Sequence, residues 1–229
     1  FNNDYLDRYI DYKKKNPNLS NNDIILRVNI GLDKDFYTNV KKAINLNTNY
    51  ILVNKFYYLE PNYVPENLEE IDSKYSVPGK QLVNVARISF EFLAKKAEEE
   101  GYNIRAVSTY RSYSYQTDLY NNYVTQDGVE EADKYSARAG FSEHQTGLAV
   151  DVDNRETDFN NFENTKEFHW MIENAHKYGF ILRYPKEKEF ITGYMYEPWH
   201  FRYVGVEIAT YIYQNNLTYE EYYFKFIHK

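Results

Sequence analysis

The sequence predicts an α+β fold with a helical N-terminal extension. Helix-period and strand-period segments are mixed without the regular βαβ rhythm of a doubly wound sheet. The first 45 residues read as helical and polar, and the composition, 43% hydrophobic and 18% aromatic, supplies material for a packed core.

Leu6, Tyr9, Ile10 and Tyr12 mark one face of a short helix ending near Asn16-Pro17. Ser20 is placed to cap a second helix carrying Ile24, Ile25 and Val28. Residues 50–58 (YILVNKFYY) read as a strand, followed by a loop with Pro61 and Pro65. The spacing of Leu82, Val83, Ala86, Phe90 and Leu93 predicts a long amphipathic helix over 79–100, with Gly101 at its end. Residues 103–110 read as a strand, and 113–124 as a helix that Ser112 would cap. A loop rich in small and charged residues leads to 148–153. There, alternation puts Leu148, Val150 and Val152 on one face and Ala149, Asp151 and Asp153 on the other. A helix over 165–178 stops at Gly179, 180–184 and 199–204 read as strands, and a last helix starts near Val206.

The net charge of −7 argues against nucleic acid as a partner, because nucleic acid rewards basic patches. Lys13 to Lys15 and Glu98 to Glu100 read as solvated helix faces. The absence of cysteine excludes disulfides and thiolate ligands, so a metal would be held by His and carboxylate. No apolar stretch approaches the roughly 18–20 residues of a membrane span. The chain begins at Phe1 rather than Met, as expected of a longer protein trimmed at its N-terminus, which leaves room for a leader or membrane anchor. A monomer is expected.

The five histidines can be weighed singly. His169 and His176, on one predicted helix, have no convergent third donor and read as structural; His228 lies at the C-terminus. His144 and His200 differ in setting. Asp151 stands between Val150 and Val152, and His200 between Trp199 and Phe201, so each puts a ligand-type side chain on an apolar strand. An unpaired buried carboxylate costs several kcal/mol, so Asp151 needs a cation nearby. A metal would satisfy it, and so would an arginine; periodicity does not choose between them. Two His and one carboxylate match a catalytic zinc, which takes three protein ligands and keeps one position open. Glu197 lies three residues before His200, and Pro198 between them breaks strand geometry, so both side chains can turn to one side.

The segment SEHQTGLAVD (142–151) resembles the Ser-x-His-x-x-Gly-x-Ala-x-Asp signature of the VanY-type D-alanyl-D-alanine carboxypeptidases. EPWHFRYVG (197–205) resembles the Glu-x-x-His signature of the same metallopeptidase group, which includes related L,D-carboxypeptidases, lysostaphin-like enzymes and phage endolysins. The likeness extends through STYRSYSYQTDLY, SARAGFSEHQTG and ENAHKYGFILRYP and covers roughly residues 50 to 205. It implies a small antiparallel sheet, flanked by helices, holding one zinc ion on His144, Asp151 and His200. It also implies Glu197 as the base and Arg111 as the group that stabilises the oxyanion. Gln116 and Ser142 match positions that hold the substrate's terminal residue, and Tyr110, Arg138 and Trp199 are expected along the groove; Trp199 reads equally well as core. The implied substrate is the peptidoglycan stem peptide, cut outside the cytoplasmic membrane by a secreted or anchored enzyme. Whether the bond is D,D or L,D stays open. So do an endopeptidase of the same group and a wall-binding module with a structural zinc. A glycan hydrolase using Asp151 and Glu197 would leave both histidine motifs unexplained. The expected division is a helical extension over 1–48, acting as a brace or spacer, and a catalytic domain over 49–229.

Overall fold

The computed structural model describes residues 1–157 and 159–228. Helices α1 (Leu6–Lys15) and α2 (Asn21–Ile30) open the chain. Ser20 caps α2 by accepting from the Asp23 amide at 3.1 Å, as its position predicts. Tyr9, Ile24 and Val28 form a small apolar cluster of their own, whereas Ile30 and Ala43 already belong to the main core.

Residues 50–58 depart from the strand expected there. Strand β1 (Lys41–Lys42) pairs in parallel with β2 (Tyr57–Tyr58), and the rest of the segment is irregular although Ile51, Leu52 and Val53 are buried. Asn54 explains the break. Its side-chain oxygen accepts from the amides of Phe56 and Tyr57 at 2.9 and 3.2 Å, a local turn that competes with a sheet ladder. Strand β3 (Leu68–Glu70) then pairs antiparallel with β4 (Gln81–Val83), and α3 (Asn84–Glu99) starts after it. The helix therefore begins later than its apolar spacing predicts: Leu82 is buried in β4, where it fits either period.

Strand β5 (Arg105–Ser108) leads to α4 (Tyr113–Asp127), capped by Ser112 as expected. Helix α5 (Val129–Tyr135) occupies a stretch expected to be loop; it buries only Ala132, so it carries no apolar stripe to announce it. Strand β6 (Ala149–Asp153) precedes α6 (Lys166–Asn174), which Thr165 caps and which runs on as a tighter turn to Gly179. Strand β7 (Phe180–Leu182), the short α7 (Glu189–Thr192), β8 (His200–Tyr203) and α8 (Val206–Asn215) follow. Helix α9 (Tyr219–Tyr222), with its capping box from Thr218 and Glu221, closes the chain together with a wider turn to Ile227.

The central sheet has the order β5-β6-β8-β7, antiparallel at every step. Val150 and Val152 of β6 enter the main core, where Phe90 of α3 and Phe180 of β7 meet edge to face at 6.1 Å. The alternate residues of β6 lie on the other face. There Arg105 and Asp153, paired across β5 and β6, form a two-pronged ion pair at 2.9 and 2.6 Å. Asp151 is paired directly with His200 of β8. Among the described residues, no helix is long and apolar enough to cross a membrane.

Candidate active site

Register brings the first two functional side chains together. Directly opposed residues of an antiparallel pair put their side chains on one face, and His200 Nδ1 lies 3.0 Å from Asp151 Oδ1. His144 reaches the same point from a short helical turn, Glu143–Thr146, which Ser142 caps and Gly147 ends with a φ of +68°. A Cβ at Gly147 would lie 2.8 Å from Leu68 and 3.1 Å from Val83, so the approach of this turn to β3 and β4 requires glycine. His144 Nε2 is then 3.3 Å from Asp151 Oδ2, and the His144 and His200 rings stand edge to face at 5.0 Å.

The tautomer of His144 follows from its neighbour. Nδ1 lies 2.6 Å from the Thr109 carbonyl, which can only accept, so Nδ1 carries the hydrogen and Nε2 presents a lone pair. Burial lowers its pKa to about 4, aided by the Arg111 charge, and keeps it neutral. His200 behaves oppositely. Burial pulls it down, but the carboxylates of Asp151 and Glu143 outweigh that and raise it to about 9.

One atom each from His144, Asp151 and His200 lies within 4.8 Å of the others, and all three residues are buried. His144 Nε2 and Asp151 Oδ1 have no hydrogen-bond partner despite their close neighbours; they face a common point rather than each other. Tetrahedral Zn–N and Zn–O bonds of about 2.0–2.2 Å would set ligand atoms roughly 3.3–3.6 Å apart; here each imidazole faces its own Asp151 oxygen at 3.3 and 3.0 Å, and one atom from each residue falls within 4.8 Å of the others. The neutral His144 imidazole, the ionised Asp151 carboxylate and their orphaned buried lone pairs fit a divalent cation.

Glu197 adjoins this cluster, its Oε2 3.6 Å from His200 Nδ1. The turn through Pro198, in which the His200 amide donates to the Glu197 carbonyl at 3.2 Å, brings both residues to one side. Burial raises the Glu197 carboxyl to about 8, with Asp151 adding to it and His200 and Arg111 opposing it. These residues open on a cleft of about 580 Å³ that Arg111, Ser142, Trp199, Tyr184, Tyr194 and Met195 help to line. The Arg111 amide donates to the His144 carbonyl at 3.2 Å, and its buried Nε has no hydrogen-bond partner.

Gln116, expected to hold the substrate's terminal residue, and Arg138 and Tyr110, expected along the groove, lie outside the cleft lining. Gln116 is buried behind the cleft wall, where Nε2 donates to the Ala137 carbonyl at 2.7 Å and Oε1 is unpartnered. Arg138 forms a two-pronged pair with Asp133 at 3.1 and 2.8 Å and covers the Tyr37 ring at 4.1 Å. Tyr110, two residues past β5, donates its amide to the Gln81 carbonyl of β4 at 3.0 Å, and its side chain lies outside the cleft lining. His169 and His176 also lie apart from the cluster; His176 stacks on Tyr213 at 4.1 Å.

Sequence reasoning missed the layer behind the cluster. Glu143, Arg183, Arg202 and Glu220 are fully buried and joined by ion pairs of 2.6–2.9 Å. The available signal was an arginine set directly after one apolar strand, Phe180-Ile181-Leu182-Arg183, and another inside a second, Phe201-Arg202-Tyr203. Burial alone would raise Glu143, but the Arg183 and Arg202 guanidiniums overcome it and hold the carboxyl far below the usual carboxylate range. Its folded pKa thus lies below the unfolded value of about 4.3. The stability this contributes is complete above that value and is lost as pH falls toward the folded pKa. Denaturant unfolding at pH 6, 4 and 3 is therefore expected to show falling stability with a shallower acid limb in Glu143→Gln; identical limbs would refute this contribution.

A D-alanyl-D-alanine carboxypeptidase family, VanY, matches residues 79–206. The Bacillus subtilis protein YodJ is 41% identical over 207 residues, covering 85% of this chain and 76% of that one. The structure of the LD-carboxypeptidase LdcB is similar with a TM-score of 0.76 and 41% identity, over 81% of this chain and 90% of that one. A D,D-pentapeptidase VanY solved in complex with Zn(II) gives a TM-score of 0.67 and 33% identity, over 76% and 98%. The sheet and its buried His-Asp-His cluster define a metallopeptidase site. This chain belongs to the VanY family of D-alanyl-D-alanine carboxypeptidases.

Proposed function

We propose that this protein is a zinc-dependent carboxypeptidase that removes the C-terminal D-alanine from peptidoglycan stem peptides. The observation that carries the proposal is the convergence of His144, Asp151 and His200, with buried Glu197 beside them, on an open cleft. A zinc ion held by those three residues would polarise the scissile carbonyl and lower the pKa of water toward about 7.

The protein's own groups divide the rest. Glu197, buried beside His200 with its Oε2 3.6 Å from Nδ1, takes the proton of the attacking water and returns it to the leaving amine. Arg111, fixed by its amide to the turn that carries His144, shares the charge of the developing oxyanion. Ser142 and Trp199 line the cleft where the terminal residue would sit, and Gln116 supports the wall behind it through Ala137. Arg111→Lys keeps the charge and loses the planar fork; kcat is expected to fall about 10²–10³-fold, the scale of an oxyanion donor, with zinc content unchanged. Wild-type kcat would remove Arg111 from that role.

Residues 1–48 act as a brace to the catalytic domain over 49–229. Tyr37 supports this part of the reading: it underlies Arg138, meets Phe141 edge to face at 5.1 Å and brings its hydroxyl within 3.4 Å of Tyr194 in the cleft wall. The enzyme acts as a monomer at the wall face of the membrane, secreted or anchored.

The test is mass spectrometry on zinc-loaded protein with stem pentapeptide and, separately, tetrapeptide, with and without chelator. Loss of one alanine from the pentapeptide alone means D,D specificity, and from the tetrapeptide alone L,D specificity. If the protein holds zinc and leaves both intact, the carboxypeptidase reading fails.

A further inference from the structure

We infer that Glu143 is a positioning residue for the metal ligand His200: it accepts from His200 Nε2–H and so leaves Nδ1 as the atom that binds the metal. The inference rests on the metallopeptidase reading and extends it to a carboxylate outside the ligand set.

The geometry is one of matched orphans. Glu143 Oε1 is doubly satisfied, by Arg183 Nε at 2.9 Å and Arg202 Nη1 at 2.7 Å. Glu143 Oε2 has no hydrogen-bond partner, and neither does His200 Nε2; both are buried, 3.8 Å apart. A buried donor or acceptor left unmade costs about 1–3 kcal/mol, and a movement of about 0.8 Å would bring this pair to the usual N–H···O distance of about 3.0 Å. An ionised carboxylate only accepts, so the hydrogen must reside on Nε2. Metal binding takes the deprotonated ring, in which Nδ1 then carries the lone pair, and Nδ1 is the nitrogen beside Asp151 Oδ1 and Glu197 Oε2.

The cluster around Glu143 is built to keep it charged and still. Two guanidiniums and two carboxylates balance. Glu220 of α9 grips Arg183 through two bonds of 2.9 and 2.6 Å and is itself held by Asn54 Nδ2 at 3.1 Å. Arg202 is anchored by the carbonyls of Asn49 and Ile51 at 3.1 and 2.7 Å. Each histidine of the cluster thereby has an oxygen opposite its non-ligating nitrogen: the Thr109 carbonyl for His144 and the Glu143 carboxylate for His200. Such partners fix the ring's tautomer and orientation and raise its basicity. One short turn, Glu143–Thr146, supplies both a ligand and the group that orients another. The chain's C-terminal helix and the irregular 49–54 segment reach the metal site through it.

The test compares Glu143→Gln with Glu220→Gln, which disturbs the same ion cluster without facing His200. In the amide variant the two arginines keep the oxygen, and the NH₂ group turned toward Nε2 favours the wrong tautomer. Zinc affinity, measured by competition with a chromophoric chelator, is expected to weaken about 10–100-fold in Glu143→Gln, with a changed cobalt(II) absorption spectrum. Glu220→Gln should shift affinity by less than about tenfold, the lower limit of that range, and keep the wild-type spectrum. Equal effects in both variants, or none in Glu143→Gln, would overturn the inference. Imidazole ¹⁵N spectra of the zinc-loaded wild type decide it without any variant: a proton on Nε2 of His200 is expected, and its absence would refute the assignment. Failure of the wild type to take up zinc would instead overturn the metallopeptidase reading itself.

Discussion

Glu197→Gln is expected to keep its zinc and to lose about two to four orders of magnitude in kcat, the span of general acid–base catalysis. The substitution preserves shape, and the Glu197 backbone is held independently of its side chain: its amide donates to the Tyr184 carbonyl at 3.1 Å and its carbonyl accepts from His200. What changes is the capacity to take and return a proton. The Glu197 side chain is buried, which raises its carboxyl, while His200 and Arg111 oppose that rise; a dication on the neighbouring ligands would oppose it further and favour the ionised, proton-accepting form. The measurement is kcat against bound zinc, determined on the same samples. Near-normal kcat would remove Glu197 from the base role, and loss of the metal would place it among the ligands.

How much of this was legible in the sequence depends on how local each determinant is. Caps and stops were: Ser20 and Ser112 each accept from an amide three residues on, within one turn of chain, and Gly179 ends the helical run before β7. The alternation that set Asp151 opposite the apolar Val150 and Val152 also held, because a strand's period is intrinsic to its backbone. The pairing of Asp151 with His200 was not legible from periodicity, since register is a property of two strands; only the likeness to a known family brought them together. The strand expected over 50–58 failed because a single Asn54 side chain reroutes the backbone, and β-propensity does not register that. Helix α5 was missed because it buries almost nothing. The charged layer behind the site was hidden for another reason. Arg183 and Arg202 each look like an ordinary polar residue on a strand until Glu143 and Glu220, from distant parts of the chain, are seen to close around them.

Removing a ligand should cost more than removing any group that merely supports one. Asp151→Ala is expected to weaken zinc binding well beyond the about 10–100-fold typical of outer partners and to reduce activity to that of chelated wild type. The reason lies in the position of Asp151 between the two imidazoles, one oxygen toward each at 3.3 and 3.0 Å. The carboxylate supplies the one negative charge among the three ligands, and without it two neutral nitrogens would hold a dication alone. Thermal unfolding separates this from a generally damaged fold. A ligand that binds only the folded state stabilises it by about 4 kcal/mol at a thousandfold excess over its Kd. For a chain of this size that is a rise of about 8–16 °C in Tm. The wild type should show that rise when zinc is restored after chelation, with activity returning in parallel. Asp151→Ala should show neither at the same zinc concentration, while its metal-free Tm still reports a cooperative fold. A wild-type-sized shift in the variant would mean that Asp151 is not a ligand and that the metal sits elsewhere.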